Sequence, residues 1–176
     1  MVLRKINSVL SLITTFLVLD HAIFNAVWFF SMKTLPKTTV LSWVLVGFMA
    51  VHAMLSMALA MNAHNVPAPA DAKSYPAKNV TTIIQRVTGM LLIVGTVFHV
   101  LGATGVMTPP AVVHAIVPTV FFTVCMAHTA ISTSKAFITL GVGNAKVVKG
   151  IDIAVKVICA AVLVANIVGF FMNFAA

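Results

Sequence analysis

His21, His52, His99 and His128 each fall deep inside a different long apolar segment of this 176-residue chain. An imidazole carries two polar nitrogens, and lipid offers neither of them a partner. Four such side chains, one to a segment, point to a buried ligand, and two bis-histidine haems would use all four.

The segments that must position them are membrane helices. Hydrophobic residues make up 61% of the chain and charged residues 8%, a balance that excludes a water-soluble domain of ordinary composition. About 20 helical residues cross a bilayer core, and five stretches qualify, at 6–30, 38–61, 80–101, 111–133 and 151–174. The expected fold is all-α, a single five-helix integral membrane bundle. The first stretch opens with Arg4 and Lys5 in the manner of a signal peptide. It is too long for one and is interrupted by Asp20 and His21, so it reads as a mature helix. Turn residues mark the breaks: Lys33 to Lys37 around Pro36, Val66 to Pro76, Thr108-Pro109-Pro110, and Gly141 to Gly150. Thr108 is expected to cap the fourth helix with proline in its first turn. Pro118 is expected to bend that helix.

Basic residues collect on cytoplasmic loops. With the N-terminus inside and the C-terminus outside, the inner set is Arg4, Lys5, Lys73, Lys78, Arg86, Lys135, Lys146, Lys149 and Lys156, and the outer set is Lys33 and Lys37. This asymmetry assigns the +8 net charge to lipid headgroups and a soluble partner on the cytoplasmic face, not to nucleic acid. It also sets the depth of each histidine, at about 1.5 Å of rise per residue. His21 and His99 fall in the outer half, on the first and third helices. His52 and His128 fall in the inner half, on the second and fourth. Two stacked haems b, each held by one imidazole from each of two facing helices, require that sorting.

The remaining polar groups divide between site and scaffold. Cys125 and Cys159 stand alone in apolar helices, without the spacing of a cluster or zinc site, and read as small buried hydrophobes. His64 reads as a solvated loop residue and His114 as an outer-surface residue able to assist quinone proton exchange. Asp20 is the one acidic residue expected inside a membrane helix. It serves either quinone protonation or a hydrogen bond to another helix or to a ligand's second nitrogen. Arg86 and Lys135, near the inner helix ends, either pair with haem propionates or snorkel to headgroups. Thr88, Ser56 and Ser132 offer hydroxyls to the haem surroundings or to their own helices. Asn25 and Trp28 are outer-half candidates for a quinone pocket.

The string Gln85-Arg86-Val87-Thr88-Gly89, with His99 ten residues beyond, resembles the membrane anchor of succinate:quinone oxidoreductases and quinol:fumarate reductases, in the five-helix, two-haem, single-subunit class. His21-Ala22-Ile23-Phe24-Asn25, Val51-His52-Ala53, Phe98-His99-Val100 and His128 with the 132–141 stretch look like the family's four ligand helices, and the chain from Ile151 looks like its ligand-free last helix. Ser56 and Ser132 stand where the family often has glycine. The resemblance implies that His21 and His99 bind the distal haem and His52 and His128 the proximal one. It further implies a flavoprotein and an iron–sulfur subunit on the cytoplasmic face, menaquinone or ubiquinone as the membrane substrate, a dimer or trimer of complexes, and a bacterial or archaeal cytoplasmic membrane.

The expected function is electron relay between those soluble subunits and quinone. Dicarboxylate chemistry belongs to the partners, because this chain has no flavin fingerprint and no cluster ligands. The alternatives are a di-haem cytochrome b serving another dehydrogenase or a hydrogenase, a haem-free proton-coupled transporter, and a purely structural anchor.

Overall fold

The computed structural model describes residues 2–31, 39–64, 76–108 and 110–174. Five helices account for nearly all of them: α1 (Val2–Ser31), α2 (Thr39–His64), α3 (Pro76–Ala103), α4 (Ala111–Leu140) and α5 (Ala145–Phe174). Each contains a stretch long and apolar enough to cross a bilayer, so the chain is a multi-pass membrane protein with an all-α fold. At about 1.5 Å per residue a 30-residue helix reaches about 45 Å, beyond a hydrocarbon core of about 30 Å. The ends of α1, α4 and α5, each of 30 residues, therefore extend into the headgroup layers.

Three expectations about the breaks need correction. Thr108 does not cap α4: Pro110 holds the N-cap position, with φ −52° and ψ 151° and no side-chain hydrogen bond. A residue before proline is driven out of helical geometry, so the helix starts only after the second proline. The stretch from Gly141 to Gly150 is not one loop. Asn144 Oδ1 accepts from the backbone N–H groups of Lys146 (3.0 Å) and Val147 (3.3 Å), starting α5 at Ala145. Asp152 thus lies inside α5, paired with Lys156 one turn on. His64 is the last residue of α2, not a loop residue. The turn residues 32–38 and 65–75, with Lys33, Lys37, Asp71 and Lys73, lie outside the described residues, as do the side chains of His64, Lys78 and His114.

Gly141 ends α4 in the left-handed region (φ 107°), its N–H bonded to Ile138 O and that of Val142 to Phe137 O. Both bonds satisfy terminal carbonyls, and the positive φ explains the glycine. Helix α4 runs continuously from Ala111 to Leu140 with Pro118 inside it.

Helices α1 and α4 lie side by side, and α5 packs against both. Helix α2 packs on α1, and α3 on α4. Helices α1 to α4 thus form an open ring in which α1 faces α3, and α2 faces α4, across the diagonals. The α1–α5 seam is close. Asn166, 1% exposed, donates to Ala22 O (3.0 Å), and seven residues on Asn173 donates to Phe29 O (2.7 Å). Between them Gly169 lies so near α1 that an added Cβ would stand 2.7 Å from Phe29 Cβ, an atom fixed to the backbone. Gly169→Ala is therefore expected to cost about 1–3 kcal/mol through forced separation of the helices, read as a lower thermal midpoint in detergent. Gly150→Ala, with nothing within 4 Å of the new atom, is expected to leave that midpoint unchanged or raised.

Candidate functional site

The ring encloses a cavity of about 590 Å³, lined from all four helices. That volume falls within the ~300–1,000 Å³ usual for cofactor pockets. His21 of α1 and His99 of α3 meet there across the diagonal, with ring centroids 6.3 Å apart and planes at 85°. With metal–nitrogen bonds of about 2 Å, that spacing would leave room for one metal ion to be held between the two imidazoles.

Neighbours orient both rings. Asn25 Nδ2 donates to His21 Nε2 (3.1 Å), which makes Nε2 the lone-pair nitrogen, so Nδ1 carries the proton and gives it to Ser42 Oγ (3.3 Å). Asn25, one turn along the same face, would have to give up that contact for Nε2 to hold a metal. Phe121 stacks on His99 at 5.0 Å and 17°. Gly95 makes room for that phenyl ring, since a Cβ there would stand 2.6 Å from Phe121 Cδ2. Thr96 Oγ1 lines the cavity, buried and without a hydrogen-bond partner.

His52 of α2 and His128 of α4 form the second diagonal and lie within electrostatic reach of one another. His52 Nδ1 is buried and has no hydrogen-bond partner. His128 Nδ1 lies 2.9 Å from Thr88 Oγ1. Gly89 lets the ring approach α3, because a Cβ there would meet His128 Cε1 at 3.3 Å. Beyond the ring runs a polar chain. Lys135 Nζ donates to Gln85 Oε1 (2.8 Å), Gln85 Nε2 to Ser132 Oγ (3.3 Å), and Ser132 Oγ to His128 O (2.6 Å). At the same end Ser56 exchanges hydrogen bonds with Asn7, at 3.0 and 3.2 Å, tying α2 to α1.

The pairing expected from depth is thus the one the helices bring together. Asn25 and Trp28 line the cavity beside His21. Asp20 does not. It is half-buried on the stripe of α1 that carries the exposed Ile13, Phe16, Ile23 and Val27, though its charge still reaches His21. Arg86 is exposed, whereas Lys135 is partly buried and engaged. His114 stands in the first turn of α4. Sequence reasoning assigned no role to Ser42, Gln85, Gly89, Thr96 or Phe121. Only Gln85 and Gly89 had a signal, as members of the string already singled out on α3.

Among the described residues no group of three or more His, Cys, Asp or Glu is placed to hold a metal ion. A haem asks the protein for two axial imidazoles only. The residues present suit that group: imidazoles brought together in pairs across the diagonals, an unpartnered buried nitrogen at His52, and glycines where rings must approach. In comparisons with known proteins, no family model, no curated protein and no solved structure matches this chain.

Proposed function

We propose that this chain is the two-haem cytochrome b anchor of a succinate dehydrogenase or fumarate reductase, linking soluble flavin and iron–sulfur subunits to membrane quinone. One observation carries the reading. His21 and His99 stand on helices that face each other across a diagonal, yet their rings are 6.3 Å apart over a cavity. A direct hydrogen bond would draw two imidazoles closer, and a lipid-facing role would turn them apart.

His21 with His99, and His52 with His128, would hold the two haems, which when bound supply reversible one-electron transfer. The residues of this chain do the rest. Ser42 and Thr88 fix the imidazole tautomers. Lys135, steadied by Gln85, sets a cation where acidic edge groups are to be held. The apolar walls exclude water. Asn25 and Trp28 lie at the end of the cavity opposite Lys135, where an amide donor and an indole suit a quinone headgroup. Asp20 faces away from the cavity and takes no part in that end.

The nine-to-two charge asymmetry supports an orientation in which the Lys135 end would face the cytoplasm, and on this reading the soluble subunits would dock there, on a bacterial or archaeal membrane.

The test is a reduced-minus-oxidised visible spectrum with a pyridine haemochrome on the purified complex. Two haems b per copy of the chain, with a flavoprotein and an iron–sulfur protein co-purifying, are expected. One haem removes a ligand pair. None removes the reading in favour of a haem-free transporter, and two haems with other partners place the cytochrome with another dehydrogenase or a hydrogenase.

A further inference from the structure

The hydroxyl of Thr88 is a three-way junction. Its oxygen lies 2.8 Å from Ile84 O, 3.1 Å from Gln85 O and 2.9 Å from Nδ1 of His128. A hydroxyl has one proton, and a carbonyl only accepts. The proton therefore goes to the backbone, and the free lone pair of Oγ1 receives N–H from His128 Nδ1. That bond leaves Nε2 of His128 as the lone-pair nitrogen. His52 across the diagonal has no hydroxyl anchor: its buried Nδ1 has no side-chain partner, and the group within reach of the ring is the backbone of Asn7. The corresponding bond at the other diagonal, His21 to Ser42, is longer at 3.3 Å.

We infer that Thr88 is a positioning residue that holds His128 in one tautomer and strengthens it as an iron ligand, thereby setting the redox potential of the His52–His128 site. The inference rests on the haem reading above. A hydrogen bond accepted from the far nitrogen makes an imidazole more electron-rich, which favours the more oxidised iron. Losing it favours reduction. A threonine that merely bonds back to its own helix would leave the potential where it was.

The experiment is a redox titration of the purified complex carrying the wild-type chain, Thr88→Val or Thr88→Ser. In Thr88→Val one haem is expected to become easier to reduce by roughly tenfold in its equilibrium constant, or 59 mV for one electron. The other haem keeps its potential, and Thr88→Ser titrates as wild type. Loss of one haem in Thr88→Val with full recovery in Thr88→Ser supports the same role, since only the hydroxyl distinguishes the two. Unshifted potentials in Thr88→Val overturn the inference, as does an equal shift or an equal loss in Thr88→Ser. A wild-type complex with fewer than two haems overturns the haem reading itself, which the haemochrome measures before any variant is compared.

Discussion

On the two-haem reading proposed above, alanine at His99 is expected to remove one of two haems b per chain, and alanine at His21 to remove the same one. The difference spectra of the two variants should coincide, because the rings lie 6.3 Å apart and share a single site. His52→Ala and His128→Ala should give the complementary spectrum. One remaining imidazole leaves an axial position open in an apolar cavity that offers no replacement nitrogen. The site then either loses its haem or holds it through a single ligand, and the same spectral component changes in both variants. Asn25 is the nearest polar group to His21, and its amide nitrogen has no lone pair to donate. His64→Ala and His114→Ala, at the ends of α2 and α4, should retain two haems. If the His21 and His52 variants lose the same spectral component, the pairing by diagonals is wrong even where the haem count is right.

The pairing was legible because depth is arithmetic. Helix rise is constant and the bilayer is thin, so residue counts from the helix ends and from Arg86 and Lys135 sorted the four histidines into two expected layers before any packing was known. Helix existence was legible for the same reason, since twenty apolar residues leave the backbone no other way to satisfy itself in lipid. What could not be read was whatever depends on rotation about a helix axis. Asp20 and His21 adjoin in sequence and differ by about 100° on the helix, which sends one to the outward stripe and the other to the cavity. Ser42 and Asn7 carried no motif, and their partners lie 21 and 49 residues away along the chain.

Helix ends were legible only where side-chain chemistry was unambiguous. The fourth stretch was expected to end at 133 with a break from Gly141; the helix continues to Leu140, and the positive φ of Gly141 shows why it stops there. Gly150 was read as part of the same break, but one glycine costs a helix only about 1 kcal/mol, and the cap from Asn144 six residues earlier fixes the start. The Thr108-Pro109-Pro110 string promised a hydroxyl cap. The restriction that proline imposes on its predecessor prevailed, so α4 begins with no side-chain cap at all. The order in which helices pack, with α1 against α4 and α5 outside the ring, was not written in the histidines. It depends on small residues such as Ala22, Ala26 and Gly169 and on the carbonyl bonds of Asn166 and Asn173.

Gly89→Val is expected to abolish haem binding at the His52–His128 site and spare the other, lowering the haemochrome count from two per chain to one. Gly89 faces the edge of the His128 ring. Its missing Cβ would already stand 3.3 Å from Cε1 and 3.8 Å from Nδ1, so alanine is accommodated by a shift of a few tenths of an ångström. Valine is different, because its two further methyl groups are held near one rotamer in a helix and cannot swing clear. They must enter the volume of the imidazole or push α3 from α4, and either movement breaks the bond from His128 Nδ1 to Thr88. Gly47→Val on α2, where a Cβ meets nothing within 4 Å, is the control and should keep both haems. The comparison also separates the clash from a general effect on helix stability. Valine is a better helix former than glycine by a few tenths of a kcal/mol or more, so on propensity alone both variants would be firmer helices than the parent, and a haem lost only at Gly89 can be charged only to the space the ring requires.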